Sequence, residues 1–418
     1  MRLACIAVLP VVLHSAALAV DLEPQKAIRL QAIVLADDDG SRAAAATGIQ
    51  IQRWVDYANE AWRLSGFRFK FNPRRIIRLR HTRLNRMMGE EDNDWPEVRG
   101  IGNRIAAQCP GRIVVFFRRG PGEEPTGRGF SWTDYNFVVM PGFEHSRVCG
   151  RQNIALLAHE LGHYFGLAHT FDREFRTVQD AIRHYEAAGF ERRISDGDRL
   201  SDTPSTPHIQ ELQCTADRFV ELGGELYLIP RWNLMSYYYH ADPKRDLRQL
   251  SPQQSARARR VAHLRQRGGG PLPSNRTAEQ AIAFESLEIE QQSGVWTEVQ
   301  SMSHRGPENW TRGRHLFCRA APKGSLTLLI PIPKGGRYRM AVYGTLAPDY
   351  GRIRFSVDGR VVGELDGWAP LITPSGRVGL KTVRLQAGTH RFRIDVLGKN
   401  AESSGYHFGL DCLEVLKL

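Results

Sequence analysis

The sequence predicts an α/β (α+β) unit followed by an all-β sandwich. Three observations carry that prediction: strand-like and helix-like stretches alternate up to residue 267, a Gly/Pro-rich stretch interrupts the chain at 268–275, and short alternating strands follow. At 418 residues the chain is long enough for two cores.

Taken in order, the first 19 residues read as a signal peptide, with Arg2, an apolar run from Leu3 to Leu13, and Ala17-Leu18-Ala19 as the cleavage site. That run is too short to span a bilayer, and no later stretch approaches the needed length. The mature protein is therefore expected outside the cytoplasm, secreted or periplasmic, with no membrane span. Strand Ala27–Leu35 begins soon after Ala19, which leaves almost no chain for a propeptide, so no cysteine-switch latency is expected. Thr47–Leu64 has helical periodicity in Ile49, Ile51, Trp54, Val55, Ala58 and Trp62, and Phe67–Phe71 reads as a strand. Trp95–Ala107 reads as a helix and Gly111–Phe117 as a buried strand. Asn136–Met140 reads as a strand with an exposed edge open to an added peptide. A helix is expected over Arg151–Gly166, and another over Phe175–Ala188 within a charged insertion, Asp172–Ser195. Gly268 to Asn275 reads as a linker. Beyond it, Arg337–Gly344, Arg352–Val357, Lys381–Leu385 and His390–Leu397 alternate like the strands of a sandwich covering about 276–418.

Net charge is +12, spread along the chain without a Lys/Arg run or an aromatic-basic stripe. Specific nucleic-acid binding is therefore not expected, while attraction to acidic substrates or anionic cell walls stays open. Cys5 leaves with the signal peptide. Of the remaining five cysteines, Cys318 and Cys412 are candidates for one bridge, and Cys109, Cys149 and Cys214 supply at most one more.

The chemistry is concentrated in His159-Glu160-Leu161-Gly162-His163-Tyr164-Phe165-Gly166-Leu167-Ala168-His169. On a helix, His159 and His163 lie one turn apart on one face and can hold one cation. Glu160, one step round, is placed to take a proton from a metal-bound water. Gly166 lets the chain turn back, because glycine tolerates the left-handed conformation, and His169 arrives as a third ligand. Three protein ligands leave a fourth zinc position open, the hallmark of a catalytic site.

This segment, followed by Asn233-Leu234-Met235-Ser236-Tyr237, resembles a metzincin metallopeptidase. The resemblance implies that Met235, in the Met-turn, forms an apolar floor under the ligands, and that Tyr237 steadies the oxyanion. Within metzincins, the pappalysins are most similar over residues 27 to 267, on His169-Thr170-Phe171, Asp198-Arg199-Leu200-Ser201-Asp202-Thr203-Pro204 and Leu250-Ser251-Pro252-Gln253-Gln254. That likeness implies a structural calcium with Asp198 and Asp202 as candidate ligands, and Asp242 as a candidate for holding a basic substrate side chain. The chain departs from the family in its cysteine-free insertion 172–195 and in Ser236, where aspartate is common.

The resulting expectation is a secreted zinc endopeptidase acting on protein or peptide, with a C-terminal module of galactose-binding-like, jelly-roll type that docks on a glycan or cell surface. Trp296, Trp310 and Trp368 are candidates for stacking on sugar rings. Two competing readings remain open: a glycan-binding or adhesion protein with a vestigial peptidase unit, and a zinc hydrolase of a non-peptide substrate.

Overall fold

The computed structural model describes residues 26–132, 134–187, 197–240, 242, 246–275, 281–303 and 309–418. The expected signal peptide, the chain up to the first strand and the close of the charged insertion lie outside these residues.

Strand β1 (Lys26–Ala36) is buried on both faces from Leu30 to Leu35. Ile28, Leu30, Ala32 and Val34 join one apolar cluster, and Ile33 and Leu35 the other. A strand apolar on both sides belongs in the middle of a covered parallel sheet. Helix α1 (Gly48–Ala61) starts at Thr47, whose side chain accepts from Gln50 in a reciprocal capping box. Strand β2 (Phe67–Lys70) and then β3 (Ile77–Arg80) pair along one edge of β1. A short helix α2 (Thr82–Arg86) and α3 (Trp95–Ala107) lead to β4 (Arg112–Arg118), which pairs with the other edge of β1, and to β5 (Phe137–Pro141). The order is β2-β1-β4-β5 and these pairings are parallel.

The outer edge of β5 is not open as expected. Phe130 lies antiparallel against Val139, exchanging both backbone hydrogen bonds at 3.0 and 2.9 Å, and β5 is buried throughout.

Two-residue strands β6 (Arg147–Val148) and β7 (Arg151–Gln152) form a hairpin whose turn, Cys149-Gly150, has positive φ at both positions (51° and 72°). A disulfide ties Cys149 to Cys214. Because Arg151 and Gln152 belong to this hairpin, helix α4 (Leu156–Tyr164) starts later than Arg151, where the sequence placed it. Helix α1 braces α4 from behind: Trp54 Nε1 donates to the Asn153 carbonyl (3.0 Å) and Trp62 Nε1 to that of Ala158 (3.1 Å).

The insertion contributes β8 (Glu174–Phe175), paired with β9 (His208–Ile209), and α5 (Val178–Ala187). The hairpin of β10 (Phe219–Leu222) and β11 (Glu225–Leu228) follows, then α6 (Pro252–Leu264), capped by Ser251 and Gln254. The 268–275 stretch is a packed strap, not an exposed linker. Gly268 to Leu272 are buried, and Tyr164 donates its hydroxyl to the carbonyls of Gly269 and Gly270. Asn275 is also buried, donating to Gly344 O and accepting from Gly376 N.

The second unit is all β: β12 (Ile282–Ala283), β13 (Glu288–Ser301), β14 (Arg314–Ile332), β15 (Gly336–Leu346), β16 (Gly351–Val357), β17 (Arg360–Asp366), β18 (Thr373–Gly379), β19 (Val383–Leu385), β20 (Gly388–Lys399) and β21 (Phe408–Lys417). Its path runs β17-β16-β20-β14-β21-β15-β18. Long β14 pairs with β21 through Leu316–Cys318 and with β20 through Ser325–Ile332, so one strand serves both layers around a common apolar core. The expected Cys318–Cys412 bridge does not form: Cys318 points into that core and Cys412 into a separate cluster with Ala341 and Tyr343.

Candidate metal centre

Helix α4 places His159 and His163 one turn apart, as the spacing demands, and Gly166 (φ 84°) ends the helix and returns the chain so that His169 faces both. The three Nε2 atoms converge: 3.2 Å between His159 and His163, 3.3 Å between His159 and His169, and 3.0 Å between His163 and His169. Among the described residues these three form the group able to hold a metal ion. Their outer nitrogens are fixed by backbone carbonyls, Nδ1 of His159 at 2.8 Å from Leu234 O and Nδ1 of His163 at 2.8 Å from Leu167 O. A ring that donates through Nδ1 keeps a lone pair on Nε2, so the centre is a cluster of inward-facing acceptors, a donor set that suits zinc. Burial drives the His163 imidazole down to about 4 and His159 well below its ordinary value, which keeps the rings neutral as ligands.

Glu160 is buried beside the histidines. Burial pushes its carboxyl up to about 8, opposed by Arg128 and by a backbone hydrogen bond from Ser131, and its Oε2 has no partner. The segment carrying Gly129 closes over it: a Cβ at Gly129 would sit 3.2 Å from the Glu160 side chain.

Met235 is fully buried beneath α4, and a Cβ on Gly162 would fall 2.3 Å from its sulfur. Asn233 holds this turn by accepting from Met235 N at 2.8 Å. Tyr237 stands against the ligands, its ring centroid 4.5 Å from that of His169 and 5.6 Å from that of His159. Burial raises its phenol, keeping it protonated.

Two residues at the centre carry no signal in the sequence. Trp132, 46% exposed, leans on His163 with centroids 5.5 Å apart, and His208 meets Tyr237 at 5.4 Å. Each is a lone aromatic from a distant part of the chain, brought in by tertiary packing.

Asp198 and Asp202 both lie near the start of α6. Asp198 accepts from Thr203 Oγ1 (2.7 Å), Leu200 N (3.1 Å) and Gln254 Nε2 (2.9 Å), while Asp202 accepts from Ser251 Oγ (2.8 Å) and Gln253 N (2.8 Å) at the start of α6. With these bonds Asp198 closes its own loop and Asp202 caps the start of α6. Asp242 is exposed on a loop, its backbone N–H donating to His240 Nδ1.

No family model matches the chain, and no curated protein matches it. Solved structures do. A Paenibacillus xanthan lyase aligns at 20% identity over 36% of this chain and 14% of its own, with a TM-score of 0.30. A carbohydrate-binding module from Cellvibrio mixtus lichenase 5A, solved with cellotriose, aligns at 21% identity over 33% of this chain and 96% of its own, with a TM-score of 0.23. A Phanerochaete chrysosporium exo-β-1,3-galactanase aligns at 16% identity over 36% of this chain and 31% of its own, with a TM-score of 0.22. The chain thus spans a small part of the lyase's length.

These neighbours correct the sequence-based identification. They are carbohydrate-active proteins where metallopeptidases of the metzincin and pappalysin type were expected. The endopeptidase expectation and its peptide substrate are corrected accordingly. The all-β second unit stands, and among the described residues no helix is long and apolar enough to cross a membrane.

Proposed function

We propose that the chain is an extracytoplasmic glycan-binding protein whose first unit holds zinc and hydrolyses a non-peptide acyl bond carried on the bound glycan. The observation that supports binding is Trp296 on β13: its ring is 49% exposed, it pairs across the strands with Arg319, and that guanidinium lies 5.5 Å from the ring centroid. An exposed indole braced by a cation is a platform for the apolar face of a sugar. The other two candidate tryptophans are less available. Trp310 is buried and donates to Thr345 Oγ1 (2.9 Å), and Trp368 is half-buried. The Cys149–Cys214 disulfide supports an oxidising compartment.

His159, His163 and His169 would hold the zinc. When bound, zinc supplies a Lewis acid that lowers the pKa of a coordinated water to about 7. Glu160, in its ionised form, would take a proton on its unpartnered Oε2 and pass it to the leaving group. Tyr237, kept neutral, donates toward charge developing on the substrate oxygen. Glycosidic cleavage asks for two facing carboxylates. Three imidazoles with one buried carboxylate suit attack on a carbonyl, hence an ester or amide substituent.

Metal analysis, a glycan array and a panel of acylated glycans, neutral glycans and peptides test this together, on wild type, Glu160→Gln, His163→Ala and Trp296→Ala. One zinc per chain is expected in wild type and Glu160→Gln and is lost in His163→Ala. Acyl release should fall about a thousandfold in Glu160→Gln. Glycan affinity should fall about tenfold in Trp296→Ala. Turnover of peptides with acylated glycans untouched, or array binding indifferent to Trp296, overturns the reading.

A further inference from the structure

We propose that a second ligand site lies at the start of the parallel strands, where a basic cleft binds a polysaccharide bearing carboxylate or sulfate groups. Two adjoining cavities, of about 670 and 330 Å³, share Arg29 and Arg112 in their walls. Lys70 and Arg75 line the smaller and Arg267 the larger, and no acidic side chain lines either.

The register shows how deliberate the placement is. Arg29 on β1 is the Cα partner of Lys70 on β2 and of Arg112 on β4, so three cations stand in one row across three neighbouring strands. Like charges directly opposite in a sheet destabilise it. The sequence places them there although the strands have no packing use for them, since the inward residues Ile28, Leu30 and Ile113 already fill the core. Among the described residues none of the five cations has an ion-pair partner. Arg267 adds an independent sign. It adopts φ 53°, unusual for a residue with a side chain, and lies across Gly111, where a Cβ would come within 2.9 Å of its Cδ. The chain accepts a strained backbone to bring a fifth cation over the cleft.

Strands in a sheet are about 4.8 Å apart. The row therefore presents one cation per strand at a spacing comparable to one pyranose ring, and guanidinium forks bind carboxylate and sulfate in two-point fashion. A single-stranded nucleic acid is the rival polyanion, and it asks for aromatic faces on which bases stack. The aromatic residue here is Phe71, half-buried and packed on the core. This site is remote in sequence from Trp296, and it stands or falls separately from the function proposed above.

Affinity electrophoresis and titration of the full chain would test it, with polygalacturonate and dextran sulfate as probes and neutral dextran and a single-stranded oligonucleotide as comparisons. Wild type should bind the two anionic polysaccharides in a salt-sensitive manner. The Arg29→Gln/Arg112→Gln variant should bind them at least tenfold more weakly, with an unchanged or higher Tm because a like-charge row has been relieved. A second variant, Lys70→Gln/Arg267→Gln, should do the same and guards against a folding defect in the first. Trp296→Ala should bind the anionic probes as wild type does. Unchanged affinity in both double variants, equal retention on neutral dextran, or tighter binding of the oligonucleotide overturns the proposal.

Discussion

Each half of the molecule buries a cluster of titratable groups, and the two clusters are built to opposite plans. In the second unit, Asp411 is fully buried on β21. The backbone N–H of Thr311 donates to both its oxygens at 3.1 and 3.0 Å, and Asn275 adds a side-chain hydrogen bond. In the first unit, three imidazole nitrogens face inward at about one another's contact distance, and Glu160 leaves Oε2 without a partner. A buried polar group that is satisfied holds structure together; one left wanting a partner marks where something binds. The contrast separates a strut from a site before any function is invoked.

The largest expected effect bears on how the site is braced. The Cys149–Cys214 bridge closes a 65-residue loop and anchors the hairpin that leads into α4. Loop entropy puts its contribution at about 4 kcal/mol. Replacing both cysteines by serine should lower the first unit's thermal transition and weaken zinc retention, while leaving the second unit's transition in place. Calorimetry that shows both transitions moving together would mean the two clusters share one cooperative unit.

Next comes the strut. Burial raises the Asp411 carboxyl to about 7, with the Glu285 charge adding to it against the hydrogen bonds from Thr311 and Asn275. The folded pKa lies above the unfolded value, so the protonated form stabilises the fold below about pH 4, and that contribution is lost as pH rises through 7. Asp411→Asn should flatten this dependence and stabilise the protein at pH 8 by about 2–4 kcal/mol. Denaturant midpoints measured from pH 4 to 8 check it. A wild-type profile that rises over that range would show Asp411 to be held charged.

The two clusters also differed in how readable they were. The histidine centre was legible because one turn of helix and one glycine set its geometry: the spacing of His159, His163 and His169 is local, and the Gly166 turn follows from backbone sterics. The strut was not, because Thr311 and Asn275 reach Asp411 from 100 and 136 residues away. The same cause hid β13, β14, β17, β18 and β21, whose pairings are interrupted by bulges such as that between Ser293 and Val295. It also misdirected the cysteines, since Cys318 and Cys412 sit on opposite faces of the sheet. Three inward-facing histidines beside a buried carboxylate suit a metal ion, and the acyl group attacked is not written in them.

The smallest expected effect probes the floor of the site. Gly162 lies in α4, one residue before His163, where a Cβ would meet the Met235 sulfur at 2.3 Å and its methyl at 2.9 Å. Alanine is the better helix former by up to about 1 kcal/mol, so propensity favours Gly162→Ala. Overpacking opposes it, at about 1–3 kcal/mol, because Met235 is fully buried and its turn is pinned by Asn233. Overpacking should win, giving a net loss of about 1 kcal/mol in a chemical melt and a zinc affinity reduced as α4 is pushed from its floor. Combining it with Met235→Ala should recover part of that loss, because the shorter side chain removes the sulfur that the new methyl strikes. If Gly162→Ala is neutral or stabilising, Met235 is merely a neighbour, and the centre is held by its carbonyl hydrogen bonds at Leu234 and Leu167 without help from below.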